Sequence, residues 1–216
     1  MQTADVVRPA PRLYLVTPAI GEPGEFSGAL EEALDAADVA AVLLRLVPTD
    51  ERSLIRRVKA VAAVVQSRSI ALVVKDHAEI VARAGADGAH LTGIAAFTEA
   101  VEALKPARIA GCGGIATRHD AMTAGERGAD YVMFGDPDPD GHRASFAAIV
   151  ERIEWWSALF EIPCVGFAAG QHEVAPMIAA GADFVAVGQG LWDDPRGAAA
   201  ALTDIARLFA MPEPAA

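Results

Sequence analysis

The chain has 216 residues, 53% of them hydrophobic and only 6% aromatic, and carries a formal net charge of −11. That charge excludes nucleic acid and anionic membrane as partners, because both demand a basic surface, and no apolar stretch reaches the ~18 residues of a membrane span. Met1-Gln2-Thr3-Ala4-Asp5 is not a secretory signal, and Cys112 and Cys164 fall inside predicted strands and need no bridge, so a cytoplasmic protein is expected.

Residues 1–11 read as an extension ahead of the first strand, which covers 13–17. Phe26, Leu30, Ala33, Leu34 and Ala37 then recur at helical spacing, and a second strand covers 41–46. Thr49-Asp50-Glu51 opens a helix whose apolar stripe is Leu54, Val58, Val61 and Val65, followed by a strand at 70–74. Asp76 marks the next helix start, ahead of a strand at 89–91. The fifth strand lies at 108–112, and Thr117 starts a helix after a glycine-rich turn. A sixth strand at 131–134 leads to a helix with Phe146, Ile149, Ile153, Trp156 and Phe160 on one face. Strands at 163–167 and 184–187, then a stripe of Leu202, Ile205 and Phe209, complete a unit spanning 12–210 and leave 211–216 as a tail.

The phrase Gly-Ala-Asp, followed at once by a short apolar run, occurs at 85–87, 128–130 and 181–183. Each copy follows an alanine-rich helical pattern, so each reads as a helix stopped by glycine, a tight loop and a buried parallel strand. Eight strands alternating with helices permit a barrel or an open doubly wound sheet. No Gly-x-Gly-x-x-Gly follows the first strand, and the expected fold is therefore a single (β/α)8 TIM barrel. Such barrels keep their chemistry at the C-terminal ends of the strands. That places Thr17, Arg45, Lys75, Asp76, His90, Thr92, 112–114, 136–140, 168–171 and 188–190 at the mouth. The loops after strands seven and eight form the usual phosphate cradle, and here they offer Ala168, Ala169, Gly170, Gly188 and Gln189 with their backbone donors.

Several segments in this order carry a resemblance: Leu13-Tyr14-Leu15-Val16-Thr17, Asp76, the first two copies of the Gly-Ala-Asp phrase with their strands, and Ile162-Pro163-Cys164-Val165. Together they resemble the thiamine phosphate synthases and their thiazole tautomerase relatives, over nearly the whole chain. The resemblance implies an enzyme of thiamine biosynthesis that joins a pyrimidine methyl pyrophosphate to a thiazole phosphate, expelling pyrophosphate through a carbocation-like step helped by Mg²⁺. It implies Arg45, Asp76 and His90 as catalytic residues, with Asp76 also the metal ligand. Lys75 and Gly113 join the cradle residues as substrate- or phosphate-binding positions, and the expected partner is a small phosphorylated molecule.

The chain departs from the family at the mouth. The family's Gln-x-Arg-x-Lys after strand two reads Leu43-Leu44-Arg45-Leu46-Val47, and its Asn-Asp after strand three reads Lys75-Asp76. No carboxylate stands in Thr92-Gly93-Ile94-Ala95-Ala96, where the family has a second metal aspartate. Asp136-Pro137-Asp138-Pro139-Asp140-Gly141 stands where the family has Thr and Lys, and Ala168-Ala169 replaces Gly-Gly. These departures keep a second reading open, a barrel that binds a phosphate or thiazole-like ligand without catalysis, in a regulatory role.

Other residues have competing readings. His90 is either the family histidine or a hydrogen-bonded packing residue. His119 could stand in for a tautomerase histidine or simply face solvent, while His77, His142 and His172 read as exposed. The 136–140 turn is a solvated acidic loop or, with Asp76, an improvised metal site. Cys112 faces the mouth or the barrel interior. Trp155, rotated by about 100° from Trp156, belongs either to a homodimer interface or against the adjacent helix.

Overall fold

The computed structural model describes residues 9–210, apart from the side chains of Glu25 and Gln189. The expected extension and tail fall largely outside these residues, at 1–8 and 211–216. Eight parallel strands close in sequence order, with β1 (Arg12–Ile20) paired to both β2 (Val39–Leu46) and β8 (Phe184–Val187). Between them run β3 (Ala71–Lys75), β4 (Gly88–Thr92), β5 (Ile109–Gly113), β6 (Tyr131–Phe134) and β7 (Cys164–Ala168). The helices in chain order are α1 (Pro23–Ala36), α2 (Glu51–Gln66), α3 (Val81–Ala84), α4 (Ile94–Leu104), α5 (Arg118–Glu126), α6 (Phe146–Leu159), α7 (Val174–Ala179), α8 (Gln189–Trp192) and α9 (Ala198–Phe209). The fold is the expected (β/α)8 barrel.

The repeated phrase explains how the barrel closes at its lower end. Gly85, Gly128 and Gly181 adopt φ of 74°, 90° and 90°, the left-handed conformation that ends a helix. The following alanines, Ala86, Ala129 and Ala182, donate back to Val81, Ala124 and Met177. Each aspartate then grips the neighbouring strand twice. Asp87, Asp130 and Asp183 donate their N–H to the carbonyls of Leu72, Ala110 and Cys164, and their carboxylates accept the N–H of the same three residues at 2.7, 2.8 and 2.8 Å.

Alternation along the strands separates two cores. Leu13, Leu15, Val42, Leu44, Leu72 and Val74 face the helices, as does Cys112. The barrel interior is smaller and holds Tyr14, Val16, Leu43, Val73, Tyr131, Met133, Val165 and Ala186. Cys112 therefore faces neither the mouth nor the interior, and burial pushes its thiol up to about 12, which makes it inert.

Two local expectations need correction. The first strand continues past Thr17 to Ile20, with a register shift between Val16 and Ala19 that accommodates the missing N–H of Pro18. The Thr17 hydroxyl takes up the irregularity by accepting the Arg45 N–H at 3.0 Å and donating to the Pro18 carbonyl at 2.8 Å. Asp76 does not cap a helix; a 3₁₀ turn, Ala78–Ile80, precedes the single-turn α3, and the Asp76 side chain turns to the next strand instead.

On α6 the Trp156 ring is fully buried and donates to the Ile162 carbonyl. Trp155 is half-buried against Phe160, with the Arg118 guanidinium 4.9 Å above its ring, so its own chain covers much of it. Among the described residues no helix is long and apolar enough to cross a membrane.

Candidate active site

The strand ends surround a cavity of about 870 Å³ at the C-terminal mouth of the barrel. Strand periodicity brings Arg45 on β2, Lys75 on β3 and His90 on β4 to its wall, because each lies two residues beyond an interior apolar side chain or a neighbouring glycine. Arg45 is exposed, and its guanidinium has no partner among the described residues. Lys75 Nζ stands 4.0 Å from the Asp76 carboxylate.

Asp76 adopts φ 55°, a left-handed conformation unusual for a residue with a Cβ. Its carboxylate accepts the Thr92 N–H at 2.7 Å and the Thr92 hydroxyl at 2.9 Å, while its own N–H donates to the His90 carbonyl at 2.8 Å. Three bonds to β4 hold the carboxylate at the rim, where it remains partly exposed with open lone pairs. Backbone strain kept at a mouth residue by such bonds is a mark of a site.

His90 is fully buried and belongs to a polar chain that runs through the barrel. The hydroxyls of Tyr14 and Tyr131 lie 2.9 Å apart, the Tyr131 hydroxyl lies 2.9 Å from His90 Nδ1, and His90 Nε2 lies 3.4 Å from Asp136 Oδ2. The Gly114 N–H donates to the same Asp136 oxygen at 2.8 Å. With Asp136 as a carboxylate, one proton arrangement satisfies the whole chain: Tyr14 donates to Tyr131, Tyr131 to Nδ1, and Nε2–H to Asp136. Burial pushes both tyrosine hydroxyls well above their usual range, so they act as fixed donors and not as acids.

The chain fits because the inward face of β5 is bare. A Cβ on Gly111 would strike the Tyr131 ring, and one on Gly113 would strike the His90 ring and the Asp136 carboxylate. Gly113 is thus placed beside the polar chain, and its carbonyl accepts the Gly93 N–H at 2.7 Å.

The β7 side of the mouth is already occupied by the protein itself. Arg143, from the loop after β6, makes two bonds to Glu173, at 3.2 and 2.6 Å, and donates to the carbonyls of Gly135 and Phe167. Glu173 is buried, and it also accepts the Ala169 N–H at 2.7 Å. Of the expected cradle donors Ala169 is therefore engaged, whereas the Gly170 N–H has no partner among the described residues. Ala168 and Ala169 border the large cavity. Gly188 and Gly170 border a smaller one of about 110 Å³, and Gln189 begins α8.

The remaining candidates lie apart. His119 is exposed on α5, His172 is exposed, and His142 is 81% exposed on the acidic loop. His77 is half-buried and sits 3.1 Å from Glu79. Single ligand atoms of Asp138, Asp140 and His142 fall within 4.8 Å of one another. Asp138, however, spends its Oδ1 on the N–H groups of Asp140 and His142.

Comparison with known proteins decides the family. Residues 13–191 match the family model described as thiamine monophosphate synthase. The chain belongs to the thiamine monophosphate synthase family. It is 40% identical over 201 residues to the thiamine-phosphate synthase of Rhodospirillum centenum, covering 92% of this chain and 97% of that protein. It is 38% identical over 210 residues to the thiamine-phosphate synthase of Hyphomonas neptunium, covering 94% and 95%. Among solved structures, the thiamine phosphate pyrophosphorylase from Pyrococcus furiosus superposes with a TM-score of 0.76 at 20% identity, covering 92% of this chain and 95% of that one, a likeness of fold.

For a member of the thiamine monophosphate synthase family, four residues at and beneath the mouth escape a reading of single motifs. Tyr14, Tyr131, Arg143 and Glu173 acquire meaning only through contacts with other units of the barrel. One signal was available: Gly111 and Gly113 leave β5 without inward side chains, so something large from a neighbouring strand must fill the gap.

Proposed function

We propose that this protein is a working thiamine-phosphate synthase, which condenses a pyrimidine methyl pyrophosphate with a thiazole phosphate. The observation that carries the reading is the Arg45 guanidinium, without a partner among the described residues and facing the same cavity as Lys75 and Asp76. Free positive charge already in place at a mouth is what a departing pyrophosphate requires. In the reaction the bond from the pyrimidine methylene carbon to pyrophosphate breaks with its electron pair leaving on oxygen. The thiazole nitrogen lone pair then closes the new C–N bond.

Arg45 and Lys75 bind the anionic groups in this reading, and Asp76 is the residue that would hold Mg²⁺. The donor set fits that ion, which commonly takes one or two carboxylates together with substrate phosphates and water. Asp76 is an oxygen ligand, fixed by Thr92 and still partly exposed. Bound Mg²⁺ would neutralise charge on the leaving pyrophosphate. His90 positions Asp136 from below, and backbone N–H groups near Gly170, Gly188 and Gln189 receive the second phosphate. Incubating the purified protein with both substrates and Mg²⁺ should yield thiamine phosphate and pyrophosphate in equal amounts, and expression should restore growth of a strain lacking the synthase. Neither product nor growth would overturn the reading.

One observation favours the second reading, a non-catalytic barrel that binds a phosphate or thiazole-like ligand. Glu173 occupies Arg143 and the Ala169 N–H, groups that would otherwise receive an anion. A protein that binds thiazole phosphate but gives no product would support it.

A further inference from the structure

One departure from regular strand pairing stands beside Arg45. Along β1 the chain advances three residues, from Val16 to Ala19, while β2 advances two, from Leu43 to Arg45. The extra residue reverses the alternation of β1. Tyr14 and Val16 face the barrel interior, yet Ile20, which regular alternation would turn the same way, packs in the core beneath the helices. Ala19, with its small side chain, stands across from Arg45. The shift therefore keeps a branched side chain away from the wall beside the guanidinium.

Thr17 holds that shift in place. Its hydroxyl accepts the Arg45 N–H at 3.0 Å and donates to the Pro18 carbonyl at 2.8 Å. One side chain thus takes the place of a ladder acceptor and ties the extra residue to β2. Thr17 is 1% exposed, so water does not compete for the bond, and it does not line the mouth cavity, so it touches no ligand there. Support from the other neighbouring strand stops short, because the register of β2 against β3 ends at Leu44, opposite Val74. Two positions beyond Arg45 the chain is pinned again: the Val47 N–H donates to the Ile20 carbonyl at 3.0 Å, and the Val47 carbonyl accepts from Arg57 Nη1 at 2.9 Å. Between these fixed points the amide of Arg45 is held by Thr17.

We infer that Thr17 is a positioning residue for Arg45: by accepting the Arg45 N–H, its hydroxyl keeps β1 and β2 in the shifted register that presents the guanidinium to the mouth. The inference rests on the reading of Arg45 as the group that binds an anion, and it adds that a buried, uncharged side chain outside the cavity sets the strength of that binding. Valine at this position keeps the shape of the side chain and removes the acceptor. The Arg45 N–H is then unmatched, and the shifted register loses its tie.

The test measures the affinity of the intact protein for inorganic pyrophosphate with Mg²⁺, by calorimetry and apart from turnover. Thr17→Val should weaken binding by about tenfold or more, the scale of loss when a charged group is displaced from its place. Thr17→Ser keeps the hydroxyl and should bind within about twofold of the wild type. In an Arg45→Ala background, Thr17→Val should change the affinity by less than about twofold, since the group being positioned is gone. Thr17→Ala serves if the valine variant does not fold, and folding is checked by thermal melting. A Thr17→Val protein that melts early yet binds pyrophosphate like the wild type overturns the inference, because the hydroxyl is then purely structural. Losses that multiply in full in the double variant overturn it too, as does a wild type that binds pyrophosphate no more tightly than Arg45→Ala. Turnover separates this inference from the synthase reading. A protein whose pyrophosphate affinity depends on Thr17 but that makes no thiamine phosphate keeps the inference and loses the reading; one that makes thiamine phosphate with an affinity indifferent to Thr17 does the reverse.

Discussion

Aspartates at the two ends of this barrel share a side chain and differ in what their oxygens meet. At the lower end Asp87, Asp130 and Asp183 each close a strand with a backbone N–H pair, and the motif recurs almost unchanged in three units. At the mouth, among the described residues, Asp136 keeps one oxygen unmatched and Arg45 has no partner, while Asp76 is strained and faces the cavity. The lower rim therefore stabilises, and the mouth stores unmet interactions that a ligand completes. A place on the wall of the mouth cavity separates the two roles better than residue type does: Thr92 bonds each oxygen of Asp76, and the carboxylate still faces that cavity.

Glu173 offers the hardest challenge to that rule, because it stands at the mouth and is fully engaged. The rule makes it structural in the unliganded protein: Glu173→Ala strips Arg143 of its charged partner and frees the Ala169 N–H. Loss of one member of a largely buried pair typically costs about 3–5 kcal/mol. The lower end of that range is expected, since Arg143 is 24% exposed. A urea titration measures it, and a shift under about 1 kcal/mol would show the pair to be no more than a surface contact.

Arg45→Ala probes the opposite case. An exposed guanidinium without a partner adds little to stability, so the melting temperature should hold. Product formation should fall by about 10²–10³-fold in kcat/KM, the loss typical when one preorganised charge is removed. A variant that melts early yet turns over normally would reverse the assignment of the two ends.

At the lower rim, Asp130→Ala removes the acceptor of the Ala110 N–H and of the Lys105 ammonium. An unfolding free energy lower by about 1–3 kcal/mol is expected, with kcat unchanged in the fraction that folds. Asp87→Ala and Asp183→Ala should behave alike if the repeat is one device used three times.

The sequence carried the lower rim almost completely. Gly-Ala-Asp repeats because one geometric problem, turning a helix into a strand, recurs with each unit, and local chemistry solves it each time. All eight strands were legible for the same reason: buried parallel strands are continuous apolar runs bounded by stops. Arg45, Lys75 and His90 are legible at the mouth from their places at the C-terminal ends of their strands, where a barrel keeps its chemistry. The bond network was not, because Tyr14 meets Tyr131 across 117 positions and His90 meets Asp136 across 46. The acidic loop reads as solvated by composition, yet Asp136 is buried because Gly113 and Gly114 receive it. Arg143 lies just beyond the acidic turn, and its place at the mouth is set by its bond to Glu173, 30 positions away.

Asp50 gives the smallest and most selective test. It precedes α2 on the mouth side of the barrel, yet its oxygens are filled: Oδ1 accepts the Ser53 N–H at 3.0 Å, and Oδ2 accepts the Ser53 hydroxyl at 2.7 Å. Its bonds from Ser53 match those of Asp76 from Thr92 in number, but they close on its own helix start and it does not line the mouth cavity, so it groups with the lower rim despite its location. Those bonds from Ser53 favour the charged form and hold its carboxyl below the usual 3.8. A folded-state value below the unfolded one means stability is fully present above about pH 4 and is lost as pH falls through the lower, folded value. Asp50→Ala should therefore melt earlier than the wild type at pH 7, and the gap between them should narrow as the pH drops below 4. Product formation by the folded fraction should be equal in the two proteins at neutral pH. A gap that stays constant down to pH 2, or slower turnover by the variant, would place Asp50 with the residues of the mouth.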